Sequence, residues 1–271
     1  EIYRCDWSSD VCSSDLRGSD LQELIFKIPP LPEQKAIANV LSSLDDKIDL
    51  LHRQNKTLEA MAETLFRQWF IEEAQDDWEE TPLSQIATFL NGLACQKYPP
   101  KNEINRLPVL KIKELSGGIS DSSDWASTDI KEDYIVNTGD VIFAWSASLM
   151  VKLWNGDKCI LNQHLFKVTS NTFPKWFYLL WCKHHLAEFI SISSSHATTM
   201  GHIKRSDLDD ARVIVPDIET LATMNSIMEP NIVKQIARAK EIKTLEKIRD
   251  TPSPKLMSGE VRVAYDQQDA A

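Results

Sequence analysis

Six histidines, five cysteines and 40 acidic residues supply the groups from which a catalytic or metal site could be made. Their spacing makes neither. His52, His164, His184, His185, His196 and His202 have no partner at metal-ligand spacing, and on a helix the adjacent His184 and His185 would diverge by about 100°. Cys5, Cys12, Cys95, Cys159 and Cys182 form no C-x2-C pair and no disulfide framework, so reduced, mostly buried thiols are expected. The chain carries no glycine-rich nucleotide or S-adenosylmethionine loop, no Walker motif and no Asn-Pro-Pro-Tyr/Phe stretch. Asp140 after Gly139 reads as a turn before a strand, not as a catalytic carboxylate. What remains is non-covalent chemistry: polar groups that can meet base edges, and cations that can meet phosphates. They gather in four places. Lys97 and Lys101 flank Tyr98-Pro99-Pro100. Lys111 and Lys113 share the polar face of an alternating strand. Trp145, Ser146, Ser148 and Lys152 follow a strand end. His196, Thr198, Thr199, His202, Lys204 and Arg205 make a polar, partly basic loop. For each residue singly, ordinary solvated surface is the competing reading; as groups, the last two are preferred.

These groups must be carried by ordered elements, and the segment from Trp78 to Pro216 reads as mixed α/β. Thr81-Pro82-Leu83-Ser84 resembles a helix start with proline in the first turn. Val109 to Lys113 alternates as a half-buried strand should. Thr138-Gly139-Asp140 turns into a strand over Val141–Trp145, and another strand is expected over Asn162–Val168. Lys175 to Ile190 predicts one helix with an aromatic face, and Ser193 to Thr199 a polar loop.

A long-range repeat flanks this segment. Ser19-Asp20-Leu21 returns as Ser206-Asp207-Leu208. In the same register Pro29 meets Pro216, Leu31 meets Ile218, Ile37 meets Met224 and Leu41 meets Met228, and Lys56-Thr57-Leu58-Glu59 returns as Lys243-Thr244-Leu245-Glu246. Each copy is a strand-like end that runs into proline, then a long helix. In the first helix Ile37, Leu41, Leu44, Ile48, Leu51, Asn55, Leu58, Ala62, Leu65 and Trp69 alternate steps of four and three, a heptad seam. Asn55 interrupts it, either to fix register or as a tolerated defect. The second helix, from about Glu219 to Arg249, is expected to break at Pro230 and then to present Ile232, Ile236, Ala239, Ile242 and Leu245 on one face. Its other face carries Lys234, Arg238, Lys240, Lys243, Lys247 and Arg249. Paired antiparallel, two such helices would form a spacer; about 35 helical residues span roughly 50 Å.

Bulk properties narrow the classes further. A formal net charge of −10 over 271 residues opposes tight unaided binding to a phosphate backbone. No apolar run approaches the ~18–20 residues of a membrane span, and no signal peptide is visible, so a soluble cytoplasmic protein is expected. Residues Cys5 to Leu16 (C-D-W-S-S-D-V-C-S-S-D-L) resemble the translation of a sequencing-adapter oligonucleotide. Residues 1–16 are therefore expected to be a foreign leader, and the chain a fragment.

Read together, the motifs resemble type I restriction specificity subunits. The matching features are the I-P-x-L-P-x-E-Q-x-x-I-A-x-x-L entry (Ile28 to Leu41), Leu65-Phe66-Arg67-Gln68-Trp69-Phe70, Gly139-Asp140-Val141-Ile142, Asn162-Gln163, and the Thr198–Leu208 stretch leading to Val215-Pro216; their order and spacing carry the likeness from Arg17 to Ile248. The resemblance implies an α+β fold, in which a mixed α/β target-recognition domain is flanked by two long helices that pair as an antiparallel coiled coil. The implied boundaries are leader 1–16, remnant of a preceding recognition domain 17–29, spacer helix 30–74, target-recognition domain 75–216, second spacer helix 217–250 and disordered tail 251–271. The implied role is non-catalytic: reading one half of a bipartite site on double-stranded DNA and docking methyltransferase (modification) and restriction (translocase/nuclease) subunits. No cofactor or metal is expected on this chain, with S-adenosylmethionine, magnesium and ATP on partner subunits only, and no membrane is expected among its partners. A homodimer would follow if the chain were a natural half-subunit. The alternative is a coiled-coil scaffold without DNA contact, which the acidity favours.

Overall fold

The computed structural model describes residues 28–195, 201–251, 255–256 and 260–262. The leader, nearly all of the 17–29 segment, most of the tail, and His196, Thr198 and Thr199 lie outside the described residues. The chain divides into two compact units, Glu1–Lys47 with Leu245–Ala271, and Ile48–Thr244.

Helix α1 (Leu31–Arg67) is 37 residues long and ends in a π turn over Gln68–Glu72. Seam positions Ile37, Ile48, Leu51 and Ala62 are buried; Leu41, Leu44, Asn55, Leu58, Leu65 and Trp69 are half-buried. Most positions between them face solvent. This is the one-sided burial that a 3–4 apolar spacing produces on a 3.6-residue helix.

The recognition segment begins with β1 (Glu79–Pro82), the short α2 (Leu83–Ile86) and β2 (Thr88–Asn91). Then come β3 (Arg106–Leu110), α3 (Ile112–Gly117), β4 (Trp125–Ser127) and β5 (Ile135–Val136). Strands β6 (Val141–Ala144), β7 (Met150–Leu153), β8 (Cys159–Leu161) and β9 (Leu165–Thr169) follow. Last are α4 (Lys175–His184), α5 (Leu186–Ser195), α6 (Arg205–Asp210), β10 (Arg212–Val215) and the long α7 (Ile218–Asp250).

Three sheets organise the strands: β1-β10, β2-β9-β6-β7 and β4-β3-β8-β5. The β1–β10 pair is antiparallel, Glu79 opposite Val215, so the entry and exit of the domain are tied together. Every neighbour in the second sheet is antiparallel; in the third, β3 and β8 run parallel. Aromatic residues weld domain to helices. Phe66 and Phe70 of the α1 end lie 5.0 and 5.5 Å, ring to ring, from Trp181 of α4, in one core with Met224 and Met228 of α7. Burying each such side chain contributes about 1.5–3 kcal/mol.

The two long helices pair antiparallel. In the larger unit Asn55 Nδ2 donates to the Gln235 carbonyl (3.2 Å) and Asn231 Nδ2 to the Leu58 carbonyl (3.0 Å). In the smaller unit Arg249 Nη1 meets Asp45 Oδ1 at 2.8 Å.

Four local expectations are corrected. Helix α7 does not break at Pro230 but runs through it. Pro230 and Ser226, whose carbonyl loses its partner amide, face solvent, while Met224, Met228 and Ile232 are buried on the other side. Water can satisfy the carbonyl, and packing of the opposite, buried face outweighs a defect of about 3 kcal/mol. Lys111 and Lys113 do not share a strand face: β3 stops at Leu110, Lys111 precedes the helix, and Lys113 lies in α3. There the Glu114 carboxylate accepts the Lys111 backbone N–H (3.3 Å), a contact that favours a helix start over strand continuation. The single helix expected over Lys175–Ile190 is two, joined at His185, whose ring nitrogens reach Arg212 O (2.8 Å) and Glu188 Oε2 (3.2 Å); the second extends to Ser195, into the expected loop. The strand expected from Asn162 begins at Leu165, because Asn162–Leu165 closes a turn with the Leu165 N–H on the Asn162 carbonyl (3.0 Å).

Candidate nucleic-acid interface

A groove of about 750 Å³ opens on the recognition domain, lined among others by Gln96, Lys111, Lys113, Trp125, Gln163 and His164. Four separate stretches build it: the 3-10 turn Cys95–Lys97 with Pro99 and Pro100, the β3–α3 junction, the start of β4, and the 162–164 turn. The turn is held rigidly by backbone bonds. Asn162 N–H donates to Leu110 O (3.1 Å), Gln163 N–H to Leu93 O (2.8 Å), and Leu93 N–H to Leu161 O (2.9 Å). Gly92 permits this approach, since a Cβ there would collide with the Asn162 carbonyl. The floor is Cys95, whose thiol is pushed up by burial, against a smaller lowering by Asn162. A neutral thiol is a poor nucleophile, which suits the buried Cys95 to packing the groove.

The charges around the groove are unequal. Lys111 Nζ is paired with Asp124. Lys113 Nζ donates to Ser122 Oγ (2.7 Å), with no carboxylate in ion-pair range among the described residues. Trp125, 41% exposed, has the Arg106 guanidinium 4.4 Å from its ring centre. Aromatic face, amide, imidazole and one uncompensated ammonium are groups that suit base edges and an occasional phosphate.

His164 links the groove to a second cluster. Its Nδ1 is 3.1 Å from Ser146 Oγ, its Nε2 is 3.4 Å from Gln163 Nε2, and its ring is 6.0 Å from that of Trp145. Trp145 is itself fixed, with Nε1 donating to Asn91 Oδ1 (3.1 Å) and its ring stacked on Phe166. The 145–147 segment pairs with 201–203: Ile203 N–H donates to Trp145 O, and Ala147 N–H to Gly201 O. Ala147 takes φ +56°, a left-handed conformation disfavoured for a side chain. Its persistence on an exposed loop is local strain held by those bonds.

The candidates from the sequence thus divide. Lys111 and Lys113 line the groove; Trp145, Ser146 and His202 adjoin it through His164, with Ser146 bridged to His202. Ser148 is exposed. Lys152 Nζ turns to the carbonyls of Leu115 and Ser116 at the end of α3 (3.3 and 3.5 Å), as a cation at a helix C-terminus does. Lys204 and Arg205 begin α6, where Asp207 accepts the Lys204 N–H (2.7 Å) and Arg205 Nη2 reaches Phe89 O (3.4 Å). Gln96, Trp125, Gln163 and His164 line the groove without having stood out in the sequence as readers. The one available signal was the polar Asn162-Gln163-His164 triplet between two apolar strands.

Among the described residues no three His, Cys, Asp or Glu side chains gather as metal ligands, and no helix is long and apolar enough to cross a membrane.

Comparison with known proteins agrees with this architecture. The family described as "Type I restriction modification DNA specificity domain" matches residues 13–60 and 75–247. The Type I restriction enzyme MjaIX specificity subunit of Methanocaldococcus jannaschii is 29% identical over an alignment of 285 positions, covering 96% of this chain and 66% of that protein. The MjaVIII specificity subunit of the same organism is 24% identical, covering 89% and 63%. The crystal structure of a type I restriction-modification S subunit from M. genitalium shares the fold, with a TM-score of 0.52 at 18% identity over 89% of this chain and 65% of that one. The chain therefore spans just under two-thirds of the curated relatives it matches.

Proposed function

Because this chain belongs to the type I restriction–modification DNA specificity family, we propose that its recognition domain reads one half of a bipartite site on double-stranded DNA, without chemistry of its own. The observation that carries this is the groove. Its rigid 162–164 turn, its Trp125 face and its uncompensated Lys113 supply hydrogen bonding, apolar contact and one cation in a single concavity. The paired helices carry the domain at a fixed distance and dock the methyltransferase and restriction subunits. S-adenosylmethionine, magnesium and ATP belong to those partners, and the site of action is the cytoplasm. The net charge of −10 means that attraction to phosphates comes in large part from the partners.

The test is a competition assay at physiological salt, using the full chain with its modification subunit and a duplex selected from a random pool. The reading expects the selected duplex to be preferred about a thousandfold or more over random DNA. Equal affinity for all duplexes contradicts it and leaves the scaffold reading in place.

A further inference from the structure

We infer that Asp124 is a specificity-determining residue: by holding Lys111 it keeps the groove from binding the phosphates of any sequence, and leaves the concavity to base edges. The inference rests on the DNA-reading role proposed above and adds to it a means of rejecting the wrong DNA.

The groove is lined by three charged side chains, Lys111, Lys113 and Asp124. Backbone pairing places two of them together. Lys111 follows Leu110, the last residue of β3. Asp124 precedes β4, and its carbonyl accepts the Val109 N–H of β3 (2.8 Å), two residues before Lys111. The antiparallel β3–β4 pair thus brings ammonium and carboxylate into contact. The Lys111 side chain is 44% exposed and that of Asp124 63%. An ion pair so open to solvent adds little to fold stability; its consequence lies in what the groove attracts. Lys113 is held differently, by the neutral hydroxyl of Ser122.

A phosphate can therefore reach Lys113 without displacing a carboxylate. To reach Lys111 it must take the ammonium from Asp124 and then stand beside a like charge. Every duplex offers phosphates and few offer the right bases, so two free lysines would raise affinity for all DNA alike. One lysine free and one held leaves more of the binding to contacts that depend on sequence. Asp49 and Arg53 of α1 make a pair of the same charges (2.9 Å), also open to solvent but outside the groove lining. They serve as the control.

The experiment measures binding of a random-sequence duplex and of a selected duplex against salt, using the full chain with its modification subunit. Asp124→Asn should steepen the slope of log K on log salt for the random duplex by about 0.9, the value of one further phosphate contact, and tighten its binding about tenfold at about 50 mM salt. The selected duplex should gain less, so its preference over random DNA falls. Lys111→Met added to Asp124→Asn should return the slope to the wild-type value. Asp49→Asn should change neither slope nor preference, and Lys113→Gln should flatten the slope by about 0.9. A steeper slope that survives the loss of Lys111, or that Asp49→Asn reproduces, makes the effect one of net charge and overturns the assignment. Equal gains for selected and random duplexes also overturn it. An unchanged slope in Asp124→Asn, with Lys113→Gln still flattening it, overturns the assignment and spares DNA reading by the groove. Slopes that no groove variant alters overturn both.

Discussion

Asn55 in helix α1 and Gln163 in the 162–164 turn are the same chemistry put to opposite uses. Both are side-chain amides, Asn55 among apolar seam residues and Gln163 in a polar triplet between apolar strands. Asn55 sits half-buried in the seam, gives its NH2 to the Gln235 carbonyl and leaves Oδ1 buried without a partner among the described residues. It costs stability, and what it secures is register. Gln163 has its amide nitrogen 3.4 Å from His164 Nε2 and lines an open groove. The seam consumes polar capacity to hold two helices in place; the groove holds it ready for a ligand. Rigidity in the helices and availability in the turn are two halves of one device.

Substitution and labelling in each region test that contrast. The largest effect should appear in thiol reactivity. Cys159 and Cys182 are wholly buried, and burial pushes both thiols up. Alkylation followed by mass spectrometry at neutral pH should find both protected about a thousandfold or more relative to the unfolded chain, with Cys95 at the groove floor yielding first. A raised thiol pKa stabilises the fold below the unfolded value and is lost above it. Stability should thus fall as pH rises beyond about 8.5.

Removing an aromatic from the junction comes next. Phe70→Ala should cost about 3–5 kcal/mol in urea unfolding, because Phe70 is 1% exposed and touches Trp78, Trp176, Phe177 and Trp181. Pro230→Ala should act in the other direction, adding up to about 3 kcal/mol by restoring a helix bond; a loss would mean that the proline shapes α7. Asn55→Leu should add about 1 kcal/mol while loosening register, readable as a second population in double-label distance measurements between the helices. The smallest stability change, within about 0.5 kcal/mol, belongs to Lys204→Gln combined with Arg205→Gln. That pair should still weaken DNA binding and flatten its salt dependence by about one to two phosphate contacts, whereas a pure scaffold would not respond.

The sequence foretold these two regions unequally, for physical reasons. The seam of α1 is local and periodic: residues three and four apart share a face whatever lies opposite, so Ile37 to Trp69 could be read directly. The Gly139-Asp140 turn was likewise legible, and the structure adds why glycine is needed: φ is +93°, and a Cβ would press on Ile236 at 2.9 Å. Pro230 misled because its effect depends on which side of the helix packs. Lys113 misled because alternation over Val109–Lys113 does not register that Glu114 can cap a helix there. The groove was illegible because Gln96, Lys113, Trp125 and Gln163 lie on segments far apart in sequence, and only the β3–β8 pairing and the Gly92–Asn162 approach bring them to one concavity. A polar triplet between strands marks a turn; it does not say what the turn faces.

On the proposed reading the groove, not the helix surface, touches DNA. A photoreactive benzoylphenylalanine placed at Gln96, on the groove, or at Leu50, exposed on α1, tests this in the full chain with its modification subunit and a selected duplex. A protein–DNA crosslink is expected from position 96 and none from position 50. A crosslink from 50 alone, or from neither while the duplex remains bound, would contradict it.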